Sequence, residues 1–157
     1  MKESIFFIII VILVVTANFI WVDKKYISEP PKEKTEESKI QYVEIAGKKI
    51  KVKVVATPGA RVLGLSGREG LKEDEGLLFI FPNSAAHLFW MKDMKFSIDI
   101  IWLDADGRVV YIKKNARPES YPEVFKPEQN AKYVLEVLAG FSDKNNLKDG
   151  DGTEFAF

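Results

Sequence analysis

Apolar and polar positions follow three different rhythms along the chain. Residues 5–22 read IFFIIIVILVVTANFIWV, an apolar run interrupted only by Thr16 and Asn18, which as a helix crosses most of a hydrocarbon core about 30 Å thick. Residues 23–39 hold ten charged side chains and Pro30-Pro31 with almost nothing apolar, too little burial to repay the entropy of ordering. From Ile40 onward, short apolar stretches return at strand spacing between turn residues. The pattern predicts an N-terminal transmembrane segment over residues 1–22, a disordered charged linker over 23–39 and a single globular domain over 40–157.

Within that domain Lys49, Lys51 and Lys53 alternate with Ile50, Val52 and Val54. A period of two places ammonium groups on one face of a strand and branched apolar groups on the other. Ala46-Gly47 is then the turn of a hairpin with residues 42–45. Thr57-Pro58 offers a cap followed by Pro at the first helical position, so a short helix is expected over 58–66, stopped by Gly67. Further strands are expected at 76–81, 88–91, 98–103, 108–113, 133–138 and 153–157, with a hairpin turn at 104–107. Residues 115–132, with three Pro, form a long loop that either covers a site or only connects. The fold class is α+β, β-rich, with mostly antiparallel strands forming a partly closed barrel and one or two short helices.

Charge and residue usage narrow the chemistry. Lys+Arg and Asp+Glu both number 23, so no cationic surplus exists to displace counterions from phosphates, and nucleic acid is not an expected partner. Without Cys and with one His, the chain has no disulfide, thiol nucleophile, thiolate zinc site or multi-His metal cluster, and neither a metal nor a cofactor is expected. Signal-peptide cleavage needs small residues near the end of the apolar run. Here Thr16, Ala17 and Asn18 precede bulky Phe19, Ile20 and Trp21, which favours an uncleaved signal anchor with Trp21 and Tyr26 at the interface. Lys24 and Lys25 against Lys2 count toward a cytoplasmic domain. The layout of one N-terminal run, a tether and a domain counts toward export, and the expectation is a single-pass cell-membrane protein with an extracytoplasmic domain.

Several motifs fail on spacing. Gly64-Leu65-Ser66-Gly67 brings its second Gly one position early for a nucleophile elbow. The Asp149-Gly150-Asp151 stretch lacks room for the twelfth-position Glu of a calcium loop. His87 has no second ligand near it in sequence. Charge inside apolar strands is more informative: Asp99 lies in IDIIWL and Glu136 in VLEVL. A buried carboxylate must be paired, hydrogen-bonded or protonated, and Arg61, Arg68 and Lys92 are the candidate cations. We expect Glu136 to be structural, paired with Arg61 or Arg68, and Asp99 to line a pocket. Aromatic side chains crowd between residues 79 and 111, with Trp90 the best placed to stack on a sugar or another flat ligand.

The succession Thr57, Arg61, Gly64-Leu65, Gly67-Arg68, Leu71, Glu75 with GLLFIF, then FWMK, IDII, YVLEV, Gly140 and Gly150-Asp151 closely resembles the domain of unknown function 192 family. It departs from that pattern at Ser66, Asp93-Met94 and Ser97. The resemblance implies one small β-rich α+β domain, often exported or membrane-attached in prokaryotes, with no established activity. The residues it marks are Arg61, Arg68, Glu75, Trp90, Met91, Lys92, Asp99 and Glu136. Three functions fit: a membrane-tethered extracytoplasmic binding or accessory module for a small molecule or sugar, a hydrolase using Asp99 and Glu136 as acid and base, or a structural or protein-interaction domain.

Overall fold

The computed structural model describes residues 41–156; the expected anchor over 1–22 and linker over 23–39 lie outside the described residues. Among the described residues no helix is long and apolar enough to cross a membrane.

The lysine ladder behaves as its period requires. Strand β1 (Tyr42–Ile45) turns through Ala46-Gly47 into β2 (Lys48–Val55), where Lys49, Lys51 and Lys53 are exposed while Ile50 and Val52 are buried. The chain then enters α1 (Pro58–Leu63): the Thr57 hydroxyl oxygen accepts from the Ala60 N–H at 3.3 Å, and Gly64 closes the helix by donating to the Ala60 carbonyl. This helix ends earlier than the pattern suggests, because Gly64 rather than Gly67 breaks it. It leads across to β3 (Glu75–Ala85), which runs parallel to β2; parallel neighbours need such a crossover.

The remaining strands are β4 (Ile98–Leu103), β5 (Val109–Ala116), β6 (Ala131–Leu138) and β7 (Thr153–Ala156), with a second short helix, α2 (Phe141–Lys144), after β6. The seven strands form one sheet in the order β5-β4-β6-β3-β2-β1-β7, antiparallel everywhere except between β2 and β3. Its two outer strands meet at one end. The Val109 N–H donates to the Asp151 carbonyl at 2.8 Å, and the Thr153 N–H donates to the Gly107 carbonyl at 2.9 Å. Gly107 permits this closure: at φ +77, a Cβ there would lie 2.9 Å from the Thr153 hydroxyl oxygen. The result is a half-barrel with two short helices, β-rich α+β as expected.

Every residue of β4 is buried, so this strand packs on both faces, which is why all of it except Asp99 is apolar. The inner face brings together Ile45, Ile50, Leu78, Ile101 and Val137 with Phe141 and Leu147. The outer face gathers Leu77, Phe79, Ile100, Trp102 and Val134 with Leu65, Phe89 and Met91. Residues 88–91, expected as a strand, contribute only an isolated bridge between Phe89 and Phe125. That bridge pins the Pro-containing loop onto the outer face, where Phe125 is buried and the Lys113 ammonium sits 4.2 Å above its ring.

Candidate functional site

A cleft of about 350 Å³ opens on the outer face, between α1 with the loop behind it and the turn that follows β3. Leu65, Phe79 and Phe89 are among its lining residues, and so is Glu136 of β6. Its rim is apolar and faces water: Val62 is 81% exposed, and Leu63, Leu88 and Trp90 are exposed with it. No residue of α1 is buried, so the helix presents Val62 and Leu63 outward rather than to the core. A grouped apolar surface of this kind marks a site of interaction. The loop behind the helix is held in place, since the Ser66 hydroxyl donates to the Lys92 carbonyl at 3.0 Å and the Gly67 N–H to the Asp93 carbonyl at 2.9 Å.

Glu136 sits directly between two apolar cross-strand neighbours, Leu77 of β3 and Ile100 of β4. It is 6% exposed, and its Oε2 atom has no hydrogen-bond partner among the described residues. Burial pushes its carboxyl up to about 8, against the opposing pull of Arg68. At neutral pH the group is a protonated acid, able to donate a hydrogen bond.

The expected ion pair with Arg61 or Arg68 does not form. Arg61 Nη1 donates to the carbonyls of Ala56 and Ile80, the latter at 3.3 Å, and its guanidinium lies 5.2 Å above the Phe81 ring. Phe81 in turn stacks on His87 at 3.5 Å. Burial, reinforced by nearby Arg61, lowers the His87 imidazole from its ordinary value, so it is neutral at pH 7. Arg68 is half-buried and reaches Glu136 through its field; the ion pairs among the described residues involve other side chains.

Asp99 belongs elsewhere. It stands opposite Val137, whereas Glu136 stands opposite Ile100. One register step separates the two, and side chains one step apart leave opposite faces of a sheet. Asp99 is 1% exposed on the inner face and accepts the N–H groups of Asn115 and Ser142, both at 2.8 Å, and of Gly140 at 3.3 Å. It ties β5 and the start of α2 to β4. The expectation of a pocket-lining Asp99 is therefore corrected, and an acid–base pair with Glu136 is excluded by geometry.

Of the other marked residues, Trp90 lies on the cleft rim and Met91 is in the core. Lys92 is exposed and contributes its carbonyl to the loop seam. Glu75 pairs with Lys72 at 3.3 Å at the start of β3. The cleft thus unites Arg61, Trp90 and Glu136, with Arg68 nearby. Sequence reasoning passed over Val62, Leu63 and Leu88; the available signal was an apolar pair in a helix too short to bury it. A second cavity of about 440 Å³ lies beside Lys48, Ile50, Leu138 and Phe141, and the Lys144–Glu73 ion pair in its lining closes at 2.8 Å. It is larger, but its charges are surface lysines and acids.

Two curated archaeal relatives are named UPF0127 proteins. The protein of Thermococcus gammatolerans is 32% identical over 83 residues, which cover 50% of this chain and 50% of the relative. That of Thermococcus kodakarensis is 30% identical over 83 residues, 50% of this chain and 48% of the relative. The chain spans about half the length of the curated relatives it matches. Among solved structures, a Sinorhizobium meliloti protein proposed to be a transcription regulator is similar with a TM-score of 0.68 and 27% identity, covering 73% of this chain and 90% of that one. A protein of unknown function from Novosphingobium aromaticivorans is similar with a TM-score of 0.70 and 27% identity, covering 73% of this chain and 84% of that one. A family model described as Uncharacterized ACR matches residues 41–155, and the chain accordingly belongs to that family, DUF192.

Proposed function

We propose that the domain is a binding module whose outer-face cleft takes a small, largely apolar ligand through a hydrogen bond from Glu136. One observation carries this reading: a buried carboxyl with an unpartnered oxygen, kept protonated by its surroundings, in the lining of an open apolar cleft. A carboxylic acid isolated in a closed core would be a cost without a return, whereas in an open cleft it can orient a ligand. The hydrolase reading loses its support with the separation of Asp99 from Glu136. The Sinorhizobium neighbour is proposed to be a transcription regulator; were this domain to act in that way by binding DNA it would need a cationic face, which equal numbers of acidic and basic residues do not favour.

The apolar run over residues 5–22 supports a further part of the proposal, that the module is tethered to the cell membrane; the layout of one N-terminal run, a tether and a domain argues for a domain outside the cytoplasm, against the count of Lys24 and Lys25. Thermal melting against a panel of small apolar, acidic and sugar compounds tests the binding role. A ligand of the cleft raises the melting temperature of the wild type by mass action, and the rise shrinks in Glu136→Leu and Trp90→Ala. A panel whose every effect survives both substitutions overturns the reading. Alkaline carbonate washing of host membranes tests the tether, since release of the protein into the supernatant would exclude an integral anchor.

A further inference from the structure

The cleft carries a positive charge that its own residues leave unbalanced. Arg61 is in its lining, and Arg68 lies close enough to act on Glu136. Neither guanidinium is within ion-pair distance of a carboxylate among the described residues, and Glu136 is the one acidic residue in the lining. The neighbours of Glu136 on β3 and β4, Leu77 and Ile100, bring no charge. On the cleft side Arg68 comes from the loop behind α1, while the Arg61 guanidinium is held by the Ala56 and Ile80 carbonyls over Phe81, which stacks on His87.

We propose that the cleft binds a small monocarboxylate with an apolar body, its carboxylate accepting a hydrogen bond from the Glu136 carboxyl in the field of Arg68 while the apolar part packs among Leu63, Phe79 and Trp90. This rests on the reading of the cleft as a ligand site and names the class of ligand.

Other classes meet the same groups less well. An amine would require Glu136 to ionise and would meet the field of Arg68. A neutral alcohol could accept from Glu136 but would leave the arginine field unanswered. A carboxylate satisfies both, and two carboxyl groups sharing one proton form a short, charge-assisted hydrogen bond. Its arrival also keeps Glu136 protonated, because adjacent carboxylates resist a second ionisation. At about 350 Å³ the cleft is at the small end of ligand sites, which suits a body of one ring or a short chain.

The test uses the full chain in lipid nanodiscs, titrated by calorimetry with 4-phenylbutyrate, 4-phenylbutanol and 4-phenylbutylamine, with empty nanodiscs subtracted. Below pH 8 the acid should bind about tenfold or more tightly than the alcohol, since 1.4 kcal/mol of charge-assisted interaction is a factor of ten, and the amine should bind weakest. Above pH 8 the acid should lose about tenfold in affinity per pH unit as Glu136 ionises. Glu136→Gln, which keeps an N–H donor at every pH, should remove that fall, and Arg68→Gln should weaken the acid while sparing the alcohol. If the alcohol binds as tightly as the acid and Trp90→Ala weakens both, the carboxylate class is overturned and the cleft reading stands. If none of the three compounds gives heat that Glu136→Gln or Trp90→Ala alters, both are overturned.

Discussion

Replacing Glu136 by Gln should flatten the pH dependence of stability. In the unfolded chain this carboxyl titrates near its ordinary value of 4.5, whereas burial in the folded cleft raises it to about 8. Between those values the folded state holds a proton that the unfolded state releases, so each pH unit lowers stability by about 1.4 kcal/mol. The contribution is complete below pH 4.5; about 3 kcal/mol of it is gone by pH 7, and about 5 kcal/mol once pH passes 8. Gln has nearly the same shape and no proton to lose. Any packing cost it introduces is the same at every pH and displaces the curve without tilting it. His87, whose imidazole burial also perturbs, titrates alike in both proteins and cancels. Denaturant titrations from about pH 5 to about pH 9 give the unfolding free energy of each protein. The difference, wild type minus variant, should fall by about 1.4 kcal/mol per pH unit and level off above about pH 8. Parallel curves would refute the argument, because Glu136 would then be ionised in the folded state and neutralised by Arg68.

Asp99→Ala strips the acceptor from the N–H groups of Asn115, Gly140 and Ser142, and at about 1 to 3 kcal/mol for each stranded donor it should cost about 3 kcal/mol or more. Asp99→Asn keeps one carbonyl oxygen and should lose about half as much; chemical denaturation measures both, and a loss below about 1 kcal/mol in the Ala variant contradicts the tie to α2. Gly76→Ala would place a Cβ 3.0 Å from the Glu136 carbonyl oxygen and 3.1 Å from both Ile50 Cγ2 and Leu135 Cδ1. Overpacking of that kind should destabilise by about 1 to 3 kcal/mol, and an unchanged melting temperature would show that the sheet yields at this point.

Much of the architecture is legible without coordinates because its signals are local. The Lys49, Lys51 and Lys53 ladder marks the exposed face of β2, Thr57-Pro58 marks the start of α1, and Asp104 with Gly107 marks a hairpin. The apolar neighbours of Asp99 and Glu136 also announce buried carboxyls, since few surroundings are as costly to an acid. Which of the two lies in the cleft is a different kind of question. The answer is one step of register between β4 and β6, strands far apart in the chain, and a single step exchanges the faces of a sheet. Local pattern is blind to that step, so Asp99, expected in a pocket, lies inside the sheet, and Glu136, expected in an internal ion pair, lies in the cleft lining. The parallel pairing of β2 with β3, the meeting of β5 with β7 near Gly107, and a cleft assembled from α1, the turn after β3 and β6 are likewise contacts between distant segments. Local pattern carries seven of the strands, the cap of α1 and the existence of two exceptional carboxyls, but not the reduction of 88–91 to a single bridge; contacts between distant segments put Asp99 on the inner face and Glu136 on the outer one, because register and the surroundings of a buried acid are set by partners that no local stretch of chain contains.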